Sequence, residues 1–434
     1  MNYDLLDTLF QAYFDVRKGK RNTVNQLRYE LNMEHELLEL YDDIVSRRYN
    51  PSRSICFLLT ELEIKREIFG ANFRDRIVHR LIHDQIAPLF ERTFIADSYS
   101  CRKGRGTLYA IRRLDHHIRS CSRNYSRPCW VLKLDVQGYF FSIDRKILYA
   151  MLRSYLERHW TAYCAAQPAG RYMLDSELLF YLLERVIFHD STQNCIVRGS
   201  RKVWADFPPS KSLFRAAPDC GLPIGNLTSQ LFSNIYMDRF DQWMKRELKV
   251  RHYGRYVDDF FIVHEDRAYL KSLIPVIRDF LREELHLTLH PNKIHLQRAD
   301  RGVLFVGGYV KPGRIYPSHR VIRRLLRMLD ASRSHYGERQ APKFAASINS
   351  YLGGMKHFRC YRCLRRIIEA NEWIYRYGWM RTDFAKFTLD HRVRAHAPCA
   401  LVSDSLQNRL RPLQRGLSGT AVSHDKDEFP LLDV

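Results

Sequence analysis

The chain has 434 residues, 45% of them hydrophobic and 13% aromatic, enough to bury a core across two or three subdomains and to exclude disorder throughout. Lys and Arg number 70 against 48 Asp and Glu, a formal charge of +22, so long-range attraction to a polyanion is expected, and nucleic acid is the commonest one. No apolar run of about 18 residues spans a bilayer, and the opening MNYDLLDTLF lacks the basic-then-apolar layout of a secretory leader, so the expected location is cytoplasmic, with no membrane partner.

Residues 1–50 alternate apolar and charged positions at helical spacing, as in LLDTLFQAYFDV and LNMEHELLELYDDIV, which predicts a helical N-terminal extension ending near Tyr49-Asn50-Pro51. Ile55 to Phe69 turns strand-like through ICFLL and IKREIF, and from Arg74 the run IVHRLIHDQIAPLF returns to helix. A basic loop, Arg102-Lys103-Gly104-Arg105-Gly106, precedes a helix carrying Arg112, Arg113 and Arg119. Trp130 to Leu134 reads as a buried strand with Asp135 emerging at its end. Residues 145–217 begin as helix and become polar and proline-rich at DFPPSKS, an ordered loop in their second half. Gly221 to Tyr236 is a turn then a helix, and RHYGRYVDDFFIVH is two short strands with Asp258-Asp259 at the hairpin tip.

A helix over about 266–285 leads to two strand-like runs, LTLH and VLFVGGYV. Residues 316–395 read as a basic helical bundle carrying Lys356, His357, Arg359, Arg362, Arg365 and Arg366, and 396–434 as a polar tail, disordered or a docking peptide. There is no internal repeat. The one C-x-x-C, Cys360 with Cys363, has no second pair nearby, so reduced thiols are expected rather than zinc.

Phosphoryl transfer from a nucleotide uses two divalent ions about 3.5–4 Å apart, and hard cations take carboxylate oxygens from rigid elements. Asp135 at a strand end and Asp258-Asp259 at a hairpin tip would supply those oxygens if the two strands lie side by side. A DD pair in a hairpin is also ordinary turn chemistry. Apolar strands on both sides argue for more, because they place two charges at the end of a buried sheet at a cost that metal binding offsets.

Tyr256-Val257-Asp258-Asp259 resembles the YxDD motif of reverse transcriptases, and Leu132-Lys133-Leu134-Asp135 with Phe140 resembles their first catalytic-aspartate motif. Lys65-Arg66 and Phe73-Arg74-Asp75-Arg76 are similar to the fingers of that family, Gly221 to Gln230 to its nucleotide-binding motif, and Asn292-Lys293 and Phe305 to Tyr309 to its last two palm motifs. The resemblance implies an α+β right-hand polymerase fold, with fingers and an antiparallel-sheet palm over 51–315 and a helical thumb over 316–395. It implies Asp135, Asp258, Asp259 and Lys293 as catalytic residues, Lys293 protonating the leaving pyrophosphate. Two Mg2+ ions, for which Mn2+ can substitute, would sit at Asp135, Val136, Asp258 and Asp259. Lys65, Arg66, Arg74, Phe140, Ile224, Gly225 and Gln230 would bind the nucleotide, Phe140 leaving no room for a 2′-hydroxyl, and Phe305, Gly307, Gly308 and Tyr309 would form the primer grip. The bland readings are a core phenylalanine at 140, an exposed lysine at 293, and basic residues at 65, 66 and 74 that only reflect a basic chain. Implied partners are template RNA, a DNA primer or RNA–DNA hybrid, and dNTPs.

Most of the family carries Gln before the glycine of the nucleotide-binding motif and Pro after its serine, whereas this chain reads Ile224-Gly225-Asn226-Leu227-Thr228-Ser229-Gln230. That pattern, with SKSLF before it and YGRYVDDF after it, resembles the reverse transcriptases of diversity-generating retroelements. The resemblance implies error-prone copying of a template-repeat RNA and a small basic accessory protein. Bulk alone at Ile224 discriminates between base pairs by only about 1–3 kcal/mol per contact. The alternatives are an antiphage defence reverse transcriptase copying its own noncoding RNA, and a non-catalytic RNA-binding protein of maturase type, against which three intact carboxylates argue. Phe140 and the motif set favour DNA over RNA synthesis.

Overall fold

The computed structural model describes residues 3–19, 23–60, 65–193, 195–335 and 340–390; the tail expected over 396–434 lies outside them. The described chain divides into two compact units, one running to Arg298 and the other beginning at Ala299. None of the described helices is long and apolar enough to cross a membrane.

The first unit opens with helices α1 (Tyr3–Gly19), α2 (Val24–Leu31) and α3 (Met33–Val45). Their apolar stripes, with Leu5, Leu9 and Tyr13 on one and Leu37, Leu40 and Ile44 on another, enter the main core of the unit. Strands β1 (Ile55–Leu59) and β2 (Arg66–Gly70) pair antiparallel, and α4 (Phe73–Phe90) follows, capped by the Asn72 side chain accepting from Arg74 N. The rings of Tyr13 and Tyr29 lie 6.0 and 5.2 Å from that of Phe73, tying the N-terminal helices to α4. Next come α5 (Thr107–Cys121), β3 (Trp130–Asp135), the one-turn α6 (Tyr139–Ser142) and α7 (Arg145–Ala165), which Asp144 caps by accepting from Lys146 N and Ile147 N.

The region predicted to become an ordered loop is more structured than that. It carries α8 (Ser176–Ile187), a two-residue strand β4 (Ile196–Val197) running parallel to β1, and α9 (Arg201–Ala205) before two short 3-10 turns. Helix α10 (Leu227–Gln242) is buried on nearly every side, which is why it shows almost no amphipathic pattern. The hairpin β5 (Tyr253–Tyr256) and β6 (Asp259–His264), α11 (Arg267–Leu285) and β7 (His295–Arg298) complete the unit. Its central sheet has the order β5-β6-β3-β7, antiparallel throughout. LTLH, predicted as a strand, makes only an isolated bridge between Leu289 and Val136, because β7 occupies the β3 edge from Trp130 to Lys133.

The second unit begins with a three-stranded antiparallel meander, β8 (Val303–Phe305), β9 (Gly308–Lys311) and β10 (Arg314–Pro317). VLFVGGYV, expected as one strand, folds back at Val306-Gly307, both at positive φ (37° and 90°), as a two-residue turn requires. Helices α12 (His319–His335), α13 (Ala341–Met355) and α14 (Tyr361–Glu369) enclose a separate core with Leu325, Leu329, Phe344, Ile348 and Leu364. The predicted bundle ends in a hairpin, β11 (Gly378–Met380) with β12 (Phe387–Leu389). Only glycine fits at 378, since a Cβ there would lie 2.0 Å from the Thr388 carbonyl oxygen.

Candidate active site

Strand β3 pairs with β6 in a register that sets Asp135 opposite Asp259, so carboxylates far apart in sequence meet at one sheet end. Tyr256 faces Asp259 across the β5–β6 hairpin, leaving Val257 and Asp258 as the turn. Val257 holds φ +57°, a position two-residue hairpin turns ordinarily give to glycine, at a cost of about 1–3 kcal/mol for a branched residue. Backbone bonds fix the arrangement: Val136 N donates to the Asp258 carbonyl at 3.3 Å, and His290 N to that of Asp135 at 2.8 Å.

Burial and then the charge of Asp135 push Asp258 up to about 7. Burial raises Asp259 to about 6, with Lys133 working against it and Asp135 adding to it. Two ammonium groups partly neutralise the cluster, Lys293 Nζ at 2.8 Å from Asp135 Oδ1 and Lys133 Nζ at 3.2 Å from Asp259 Oδ2. Asp259 Oδ1 is buried with no hydrogen-bond partner. An unpartnered buried carboxylate oxygen beside two more carboxylates suits a hard divalent cation. In this arrangement the lysines engage two of the carboxylates, and among the described residues no group of three His, Cys, Asp or Glu is already set to hold a metal ion.

The nucleotide-binding motif is stitched between α6 and β2. Gly221 N donates to Ile143 O at 2.8 Å and Leu222 N to Phe140 O at 2.7 Å, while Phe69 N donates to Ile224 O at 2.9 Å and Ala71 N to Asn226 Oδ1 at 3.1 Å. Gly225 stands at φ +122°, and a Cβ there would lie 3.0 Å from Ile68 Cγ2. Phe140 is half-buried, edge-on to Tyr139, and Gln230 is exposed at the start of α10. Arg66 is exposed, and its charge acts on the Tyr256 hydroxyl of the hairpin.

Other expected site residues have different partners. Lys65 Nζ donates to Val203 O at 3.1 Å, beside Asp206. The Arg74 guanidinium is taken up by Asp43 of α3 and lies 5.2 Å above the Tyr49 ring, so it ties the N-terminal helices to α4. Phe305, Gly307, Gly308 and Tyr309 belong to the second unit, where Phe305 is buried, Gly307 is in the turn, and the Tyr309 hydroxyl donates to Arg301 O at 2.7 Å. Two residues of the site escaped the sequence reading. Lys133 stands two positions before Asp135, and strand alternation puts both on one face. Arg255, in the middle of an apolar strand, signals a buried charge with a partner.

Residues 65–310 match the family model for reverse transcriptase (RNA-dependent DNA polymerase), a span that holds both aspartate strands, the nucleotide-binding motif and the β8–β9 turn. The chain belongs to the reverse transcriptase family. As a reverse transcriptase it is an RNA-directed DNA polymerase, a nucleotidyltransferase. It is similar to Protein YkfC of Escherichia coli (strain K12), at 25% identity over 371 residues, 76% of this chain and 82% of that protein. Among solved structures, telomerase from Candida albicans in complex with a TWJ fragment of telomeric RNA aligns at a TM-score of 0.41 and 12% identity. That alignment covers 81% of this reverse transcriptase, which spans 64% of the telomerase chain.

Proposed function

We propose that this reverse transcriptase copies RNA into DNA by two-metal nucleotidyl transfer at Asp135, Asp258 and Asp259, with 51–315 as fingers and palm and the basic helices of the second unit as thumb. The reading is carried by the meeting of three carboxylates at one sheet end, two of them raised toward neutrality and one with an orphaned buried oxygen. Mg2+ ions bound there would supply activation of the primer hydroxyl and charge neutralisation on the triphosphate. The chain's own part is to orient and to move protons. Lys133 and Lys293 hold Asp259 and Asp135 in place, and Lys293 stands close enough to the carboxylates to protonate a leaving pyrophosphate. Phe140, tied through its carbonyl to Leu222, supplies bulk beneath the sugar and so favours deoxynucleotides.

Within the family, error-prone copying of a template-repeat RNA in a diversity-generating retroelement is supported by Ile224, which brings bulk and no side-chain hydrogen bond to the motif stitched against β2. Primer extension on a defined RNA, with dNTPs against NTPs and wild type against Asp258→Ala, tests both levels. The expected result is DNA product lost by about 1,000-fold in the variant, with errors concentrated at template adenines, as the resemblance to the enzymes of diversity-generating retroelements implies. Faithful DNA would favour a defence role, and no product with a cognate RNA would leave a binding protein.

A further inference from the structure

An arginine inside an apolar strand persists only when its donors are matched. Arg255 of β5 is 1% exposed. Its Nε donates to Asp241 Oδ1 at 2.8 Å and its Nη2 to Asp241 Oδ2 at 2.6 Å, a two-pronged fork on a carboxylate that is itself 0% exposed. Nη2 also reaches Ser98 Oγ at 3.2 Å, and the Tyr253 hydroxyl donates to Asp241 Oδ1 at 2.6 Å. The remaining nitrogen, Nη1, reaches the hairpin turn. It donates to the Val257 carbonyl at 2.9 Å and, more weakly, toward Asn234 Oδ1 at 3.5 Å.

The Val257 carbonyl is part of the peptide whose nitrogen belongs to Asp258. The next peptide, carrying the Asp258 carbonyl, is held by Val136 N. Both peptide planes flanking Asp258 are therefore fixed from outside the turn, one by Arg255 and one by Val136, the residue after β3. Without the first clamp nothing in a branched residue favours φ +57°, so the turn would relax and swing the carboxylate.

We infer that Arg255, oriented by Asp241, is a positioning residue for nucleotidyl transfer: by holding the Val257–Asp258 peptide it sets the direction in which Asp258 presents its carboxylate. The inference rests on the polymerase reading above. A pair that merely stabilised the fold would change the amount of folded protein and leave the rate per folded molecule alone. A positioning pair changes kcat, because a displacement of about 1 Å costs on the order of 100-fold.

The test uses the full chain in primer extension at saturating Mg2+, with wild type and Asp258→Ala as references and the folded fraction read by circular dichroism. Arg255→Lys keeps the charge and loses the planar fork that serves Asp241 and Val257 together. The expected result is a kcat lower by roughly 30- to 100-fold with KM for dNTP within about 2-fold. Adding Val257→Gly to that variant should restore about 5-fold or more, since glycine takes positive φ unaided. A folded Arg255→Lys protein within about 3-fold of wild type, or a loss that Val257→Gly does not relieve, overturns the inference. If Arg255→Lys does not fold, Asp241→Asn is judged by the same criteria. Wild type without product sensitive to Asp258→Ala would sink the polymerase reading and this inference together; an active wild type with an unaffected variant sinks the inference alone.

Discussion

The ionised Asp258 carboxylate carries a burial cost that a bound cation would offset. Its folded pKa of about 7 lies above the ordinary carboxylate value, so between roughly pH 4 and 7 the folded state binds more protons than the unfolded one and stability falls as pH rises. In metal-free buffer, Asp258→Asn should therefore be the more stable protein above pH 7, by on the order of 1–2 kcal/mol after screening, and the difference should vanish near pH 4. Mg2+ should raise the melting temperature of wild type and leave that of Asp258→Asn almost unmoved. Melting curves across pH with and without Mg2+ check both. A stability difference between wild type and Asp258→Asn that stays flat between pH 4 and 7 would contradict the burial of the Asp258 carboxylate beside Asp135.

Among the elements, the start of the nucleotide-binding segment takes its shape from backbone bonds to β2 and to the α6 region, and Gly225 leaves little room for a Cβ against Ile68 and the Phe69 carbonyl. Gly225→Ala meets both a positive φ and Ile68 Cγ2 at 3.0 Å, so it should cost about 1–3 kcal/mol in stability and raise the KM for dNTP more than it lowers kcat. Thermal melts and steady-state kinetics on the same preparation read the two effects. The hairpin that carries Asp258 and Asp259 was legible in the sequence because alternation and a two-residue turn are local signals. The β3–β6 register was implied only by the chemistry that needs Asp135 there. What stayed hidden depends on distant partners: β4 is two residues long and exists by pairing with β1, and His295–Arg298 outcompetes the more strand-like LTLH because the β3 edge is open to it. Arg74, a candidate triphosphate ligand by its neighbours in sequence, pairs with Asp43, thirty-one residues earlier, a partner that no local pattern signals. Lys133 was within reach of the period-2 rule, whereas Asp241, which orients Arg255 of β5 from helix α10, was not.

At the scale of the whole molecule, charge is divided unevenly in kind. Three carboxylates of the first unit meet at the sheet end, while the second unit has a core of its own and helices rich in arginine. Along α12 and α14 the apolar positions Leu325, Leu329, Leu364 and Ile368 are spent on that core, which leaves Arg323, Arg362 and Arg366 exposed. Exposed arginines suit the phosphates of a duplex, and phosphate contacts show themselves through salt. Replacing Arg323, Arg362 and Arg366 by Gln should weaken binding of an RNA–DNA hybrid and flatten the plot of log affinity against log salt by up to about 0.9 per phosphate contact removed. Binding should fall alike for unrelated sequences, since phosphates carry no sequence, and the KM for dNTP should hold, since the nucleotide motif lies in the first unit. Filter binding of a labelled hybrid between about 50 and 200 mM salt gives the slope directly. An unchanged slope in the triple variant would mean that these arginines touch no phosphate and that the +22 charge acts through another surface.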